Sequence, residues 1–341
     1  MTYEERPQNK NKPEGPPQNA PLEEPLIEIT ERPLWYTRAL AAPHESRYVT
    51  VDGTPIHYLL WGAPAQGEAP KPGIVFVHGN GAHARWFAHI APFLTHDFQV
   101  ASMDLGGMGE SGWRPDRYTR ESYAKEIFAV TQDAAMAPGY VVGHSFGGFV
   151  SLVAGSEYGD KLGGLVLVDF GVRPPEDHEE WFEDNPPPRP TRVYPDLETA
   201  LARFRLAPDQ PLANRFIFDT IARESLREAT PEPDKLGRTA GGTGWTWKFD
   251  PKIYYGLTLG RDLNERFRDM PCRKAVVMGG LSWNGQQEVM DHHRKLGGPT
   301  TPVFSIPEAR HHVMLDQPHA FTMAIHGLLG AWEAERLRVS R

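Results

Sequence analysis

The chain has 341 residues, 40% of them hydrophobic and 23% charged, with a formal net charge of -8. That length and composition describe one soluble globular domain with an appendage, and an acidic balance without a basic stripe excludes a nucleic-acid binder. No apolar run reaches the 18 or so residues of a membrane span and no apolar leader opens the chain, so the sequence predicts a cytoplasmic protein; the single Cys272 cannot pair internally and reads as a buried structural thiol of a reducing compartment.

Residues 1–45 are read as an N-terminal arm. Up to about residue 30 it is rich in Pro, Glu, Asn, Gln and Lys, a composition that buries too little apolar surface to offset its ordering entropy and so predicts mobility. LWYTRAL (34–40) is apolar enough to dock on the body. Residues 46–170 follow a different rhythm. RYVTVDG and TPIHYLLWG alternate about Asp52-Gly53, a β-hairpin signature. GIVFVHG, FQVASMD, YVVGHS and GGLVLVDF are short continuous apolar runs of strands buried on both faces. Helical patterns at 121–135 and 149–159 separate some of them, which predicts right-handed crossovers and a mostly parallel sheet covered on both sides, an α/β fold.

Between 171 and 255 the rhythm breaks. Two amphipathic helical patterns, 196–207 and 214–226, lie between a Pro-rich opening and GGTGWTWKFDP, and this segment reads as an inserted, mainly helical cap. Residues 256–341 return to the strand-helix order with KAVVMGG and TPVFSI, and end in a long helical run, 318–337.

Gly143-His144-Ser145-Phe146-Gly147 fits G-x-S-x-G between a buried strand and a helix. The flanking glycines leave room for a tight turn that lifts the Ser145 hydroxyl above the sheet, and the helix N-terminus with the Phe146 N–H favours developing negative charge. A serine hydroxyl needs an adjacent base. His311 and His312, in a loop between a strand and the last helix, are the candidates.

With these residues in place the chain resembles an α/β-hydrolase with a cap domain, over about 46–338. VFVHGNGAHARWF resembles the strand and oxyanion loop of that family, MDLGGMGESG its D-x-x-G-x-G-x-S turn, and RHHVMLDQPHAF its late histidine segment. The resemblance implies the α/β-hydrolase fold. It implies His311, seven residues before Pro318, as the base, with His312 a neighbour lining the pocket or the surface and Arg310 where the family more often has glycine. It also implies the Asn80 N–H as the second oxyanion donor beside that of Phe146, and structural roles for His78 and Asp104. The usual acid, an Asp three residues past a glycine after the KAVVMGG strand, is absent, since Ser282 and Trp283 stand there. Some relatives, haloalkane dehalogenases among them, carry the acid after the preceding strand, which makes Asp169 the orienting acid. Glu288 is its rival and Asp291 a weaker one.

The reading is a cofactor-free, metal-free serine hydrolase of carboxylic esters, working through an acyl-enzyme. A C–C bond hydrolase or lactonase on the same scaffold and a non-catalytic ligand binder are the alternatives. The partner is a partly apolar small molecule, with an assembly of like copies an open alternative. Trp86, Phe170, Trp245, Trp247 and His312 are expected to bind it, with Phe87, Trp181, Phe182 and Phe249 as further aromatic lining.

Overall fold

In the computed structural model, residues 28–174 and 190–339 are described. The arm through residue 27 and the cap residues Trp181 and Phe182 lie outside the described residues.

An eight-stranded sheet runs in the order β1-β2-β4-β3-β5-β6-β9-β10. The strands are β1 (Glu45–Val51), β2 (Thr54–Trp61), β3 (Gly73–Val77), β4 (Gln99–Met103), β5 (Gly139–His144), β6 (Gly164–Val168), β9 (Lys274–Gly279) and β10 (Val303–Ile306). β1 and β2 form the expected hairpin: Val51 faces Thr54, and Asp52 and Gly53 both take positive φ (48° and 78°), as a two-residue type I′ turn requires. β2 also pairs antiparallel with β4, and every other pairing is parallel.

The continuous apolar runs have a simple cause. Along β3, Val75 and Val77 enter the core beneath α2 (Arg120–Asp133) and α3 (Phe146–Tyr158), while Ile74 and Phe76 enter a second core on the opposite face, shared with α9 (Pro318–Val339). β5, β6 and β9 divide their residues in the same way: Leu165 and Leu167 face one core, Val166 and Val168 the other. Each such side chain contributes roughly 1.5–3 kcal/mol on burial, so a one-residue register slip would exchange the two cores at large cost. α2 starts at a capping box, in which the Thr119 hydroxyl accepts from the Ser122 N–H and the Ser122 hydroxyl accepts from the Thr119 N–H.

Between β6 and β9 the described residues hold α4 (Leu197–Leu201), α5 (Arg215–Glu224), β7 (Leu226–Ala229), β8 (Gly244–Trp247) and α6 (Leu263–Arg268). β7 and β8 pair antiparallel, so the insertion adds a small two-stranded sheet to its helices. The 196–207 pattern yields helix only through Leu201; beyond it Phe204 and Leu206 turn inward, ahead of Pro208, which disfavours helical geometry at Ala207. The N-terminal α1 (Leu34–Leu40) rests against both parts of the fold: Tyr36 is buried on Phe216 of α5, and Trp35 touches Phe216 and His319. Cys272 is half-buried, and burial pushes its thiol up to about 11. No helix among the described residues is long and apolar enough to cross a membrane.

Burial also sets a pH dependence. Loss of hydration pushes the imidazoles of His83 and His312 down to about 3 and those of His89 and His293 to about 4. In the unfolded chain a histidine titrates near 6.5, so between there and about pH 4 the unfolded state binds more protons and stability must fall as pH falls. Asp316, pushed by burial up to about 6, acts in the opposite sense, as do the carboxyls of Glu126 and Asp250, which burial also raises, but burial lowers the His78 and His144 imidazoles as well and the histidines outnumber them. The urea midpoint should therefore drop steadily below about pH 6.5, and His89→Gln should flatten the slope by about 1.4 kcal/mol per pH unit. A slope unchanged by that variant would show that His89 is not buried neutral.

Candidate active site

The strand-to-helix turn at Ser145 is built around its two glycines. Ser145 caps α3 at φ 54°, ψ -119°, a sparsely populated conformation for a residue with a Cβ. A Cβ on Gly143 would lie 2.4 Å from the Gly147 carbonyl oxygen, and one on Gly147 would lie 2.3 Å from that of Val77. Both obstacles are backbone, which cannot swing away. Gly147→Ala should thus push α3 off β3 and destabilise the fold by about 1–3 kcal/mol. A shift of this kind at the serine is expected to cost on the order of 100-fold in any Ser145-dependent rate. Thermal melts with kinetics on the same sample test this, and a variant matching the parent in both would refute the packing argument.

Ser145 Oγ–H donates to His311 Nε2 at 2.9 Å, and His311 Nδ1–H donates to Asp169 Oδ2 at 2.6 Å. The three come from different places: the end of β5, the end of β6, and the loop between β10 and α8 (Val313–Asp316). Asp169 is fully buried and takes φ 47°, a left-handed conformation that Asp tolerates better than most residues. Its Oδ1 accepts the Gly279 N–H at 2.9 Å, and its Oδ2 also accepts the Ser282 hydroxyl at 2.6 Å. Ser282, where the family's usual acid would stand, thus supports the carboxylate at the end of the neighbouring strand. Glu288 and Asp291 are exposed on α7 (Gln287–Gly297), and Asp291 is engaged by Gln287 and Arg294.

The loop after β3 carries Gly79 and Asn80 to the same place. His78 fixes it: Nδ1–H donates to the Gly79 carbonyl and Nε2 accepts the Leu105 N–H. Among the described residues neither the Asn80 nor the Phe146 backbone N–H donates to a protein acceptor. Asp104 lies behind, buried, accepting from His57 Nδ1 and from the Ala84 and Glu110 N–H groups; these contacts hold its carboxyl far below the usual range despite burial. The Ser111 hydroxyl closes the turn on the Asp104 carbonyl. Arg310 takes no positive φ, so its position does not demand glycine; its N–H donates to Asp316.

A cavity of about 340 Å³ opens above Ser145. Trp86, Trp247, Phe249 and His312 line it as expected, joined by Phe204, Leu206, Ile253 and Tyr254, which the sequence did not single out. Phe170 and Trp245 do not line it, which corrects their assignment. Phe170 packs on Phe149 and beneath Gly148. Trp245 stands two residues, about 7 Å, along β8 from Trp247, under the Arg223 guanidinium and beside Tyr194 and Leu226. Phe87 is likewise core, stacked on Phe76.

His144 was also unanticipated. Its Nε2 faces the His311 carbonyl at 2.9 Å, steadying the loop that carries His311. Burial holds its imidazole well below the ordinary value. The Nδ1 atoms of His144 and His312 are buried with no hydrogen-bond partner among the described residues, an arrangement that costs on the order of 1–3 kcal/mol for each group.

Comparison with known proteins agrees with this geometry at the level of fold and family. The pattern of the Alpha/beta hydrolase family matches residues 74–324. The chain is 26% identical over 276 residues to the esterase Rv0045c of Mycobacterium tuberculosis, spanning 80% of this chain and 86% of that protein. A solved structure of that esterase, reported with its transition metal inhibition, superposes with a TM-score of 0.61 at 21% identity over 87% of this chain and 96% of the other. The crystal structure of E-2-(acetamidomethylene)succinate hydrolase superposes with a TM-score of 0.62 at 19% identity over 84% of this chain and 100% of the other.

Proposed function

The chain belongs to the alpha/beta hydrolase family and is an esterase-like hydrolase, and we propose that it cleaves carboxylic esters of small, partly apolar molecules through an acyl-enzyme on Ser145. The observation that carries this reading is the unbroken hydrogen-bond chain from the Ser145 hydroxyl through His311 to Asp169, with Ser145 lining a cavity walled largely by apolar and aromatic groups.

In this mechanism Ser145 Oγ attacks the ester carbonyl carbon while its proton passes to His311 Nε2. The carbonyl oxygen becomes an alkoxide between the Asn80 and Phe146 N–H groups, which are not spent on other acceptors and need no rearrangement when the charge appears. The imidazolium then gives its proton to the leaving oxygen, and the alcohol departs. Water attacks the acyl-enzyme with Nε2 again taking the proton; the acid is released and Ser145 recovers its hydrogen. Asp169 keeps the proton on Nδ1 throughout, so that the lone pair on Nε2 faces the serine. The 190–255 portion of the insertion acts as a cap, its Phe204, Leu206, Trp247 and Phe249 selecting substrate by apolar contact.

A panel of p-nitrophenyl esters of increasing acyl length, run beside a lactone and a β-diketone and with fluorophosphonate labelling mapped by mass spectrometry, tests the proposal. Ester turnover with an initial burst and labelling at Ser145 are expected. Cleavage of the lactone or the diketone alone would move the reaction class on the same scaffold, and ligand binding without labelling or turnover would replace an enzyme with a binding protein.

A further inference from the structure

Three imidazoles meet beside Ser145. One ring nitrogen from each of His144, His311 and His312 lies within 4.8 Å of one from each of the others. Hydrogen bonding decides which nitrogens are available. A carbonyl only accepts, so His144 Nε2, facing the His311 carbonyl, and His312 Nε2, facing the Pro208 carbonyl, both carry hydrogen. Each neutral ring therefore has its lone pair on Nδ1, and both Nδ1 atoms are buried with no donor among the described residues. The third ring, His311, has Nδ1 taken by Asp169 and turns Nε2 toward Ser145.

Three other buried histidines have both ring nitrogens engaged. His57 is engaged through both nitrogens by Asp104 and Ser46, His78 by Gly79 and Leu105, and His293 by Val289 and Val172. Two unpartnered Nδ1 lone pairs, on rings that each bring a nitrogen within 4.8 Å of a third imidazole, suit a metal ion, since neutral imidazole is a preferred ligand of Zn²⁺, Ni²⁺ and Cu²⁺.

We propose that His144, His311 and His312 form a three-imidazole site for a divalent transition-metal ion, and that its occupancy switches the hydrolase off. Nitrogens bound to Zn²⁺ at 2.0–2.1 Å stand about 3.3 Å apart, so small ring rotations draw the three into place, and the fourth position is left to water or to the Ser145 hydroxyl. All three rings ligate as neutral groups, so no proton has to leave them. The metal takes the His311 Nε2 lone pair that would otherwise accept the serine proton. The switch rests on the proposed role of His311, whereas the site itself does not.

The test uses the full chain in two readouts. Co²⁺ titration should give visible d–d bands of nitrogen coordination in the parent and equally in Ser145→Ala, and Zn²⁺ should displace them. Zn²⁺ should also stop hydrolysis of a short p-nitrophenyl ester, with recovery on adding EDTA. His312→Ala should raise the half-inhibiting Zn²⁺ concentration by at least about 10-fold relative to its own uninhibited rate, since even loss of a metal site's outer partners costs that much. Absence of the bands, bands of equal strength in His312→Ala, or an ester rate indifferent to millimolar Zn²⁺ would overturn the proposal. Bands in a parent chain that turns over no ester would instead leave the metal site standing and remove the hydrolase reading.

Discussion

Ser145→Ala is expected to lower kcat/KM for esters by about 10⁴–10⁶-fold while leaving the fold intact. The loss is this large because the serine supplies the bond-forming atom; what remains is water attack on an ester held by the Asn80 and Phe146 N–H groups. The same position offers a control on the turn. At φ 54°, ψ -119°, a Cβ at residue 145 stores strain that glycine would not, of order 1–3 kcal/mol. Ser145→Gly should be as inactive as Ser145→Ala yet unfold at higher denaturant, so inactivity would be accompanied by a gain in stability. Activity surviving in both variants would remove Ser145 as nucleophile. Equal stability of the two variants would mean that the turn holds no strain.

The sheet was legible because β3, β5, β6 and β9 bury both faces, and a strand of that kind must be apolar throughout. That Ser145 and His311 come within hydrogen-bond reach was legible too, from the glycine frame of one and the spacing to Pro318 of the other. Asp169 needed more: an Asp at a strand end is common, and only resemblance to relatives with an early acid singled it out. The cavity wall was the least legible part. Trp245 and Trp247 share a strand and a face, and only tertiary packing sends one to the cavity and the other beneath Arg223. Phe204 and Leu206 fall inside the helical pattern at 196–207, but the helix stops at Leu201 and leaves them on a loop that turns into the cavity. His144 gives no signal in the sequence, because its contact, a buried ring facing the His311 carbonyl, exists only once β5 and the loop after β10 are side by side.

Asp169→Asn should reduce kcat by about 10⁴-fold with little change in KM. Oδ1 of Asp169 accepts the Gly279 N–H, and Oδ2 accepts from both His311 Nδ1 and Ser282. An asparagine has one acceptor oxygen and a donor amide. If the oxygen stays with Gly279, the amide faces His311 and forces Nδ1 to accept; the proton then sits on Nε2, which can no longer take one from Ser145. If the oxygen turns to His311, the amide confronts the buried Gly279 N–H, leaving donors unsatisfied at a cost of about 1–3 kcal/mol. The first arrangement keeps the buried Gly279 N–H satisfied and is the one expected, giving the loss of rate; fluorophosphonate labelling beside a denaturant melt distinguishes it from the second, which would show as a loss of stability instead. Glu288→Gln should change neither, since Glu288 is exposed on α7. Rapid labelling that survives in Asp169→Asn but disappears in Glu288→Gln would move the acid to the later loop, and Ser282 would then be hydrogen-bonding to a purely structural aspartate.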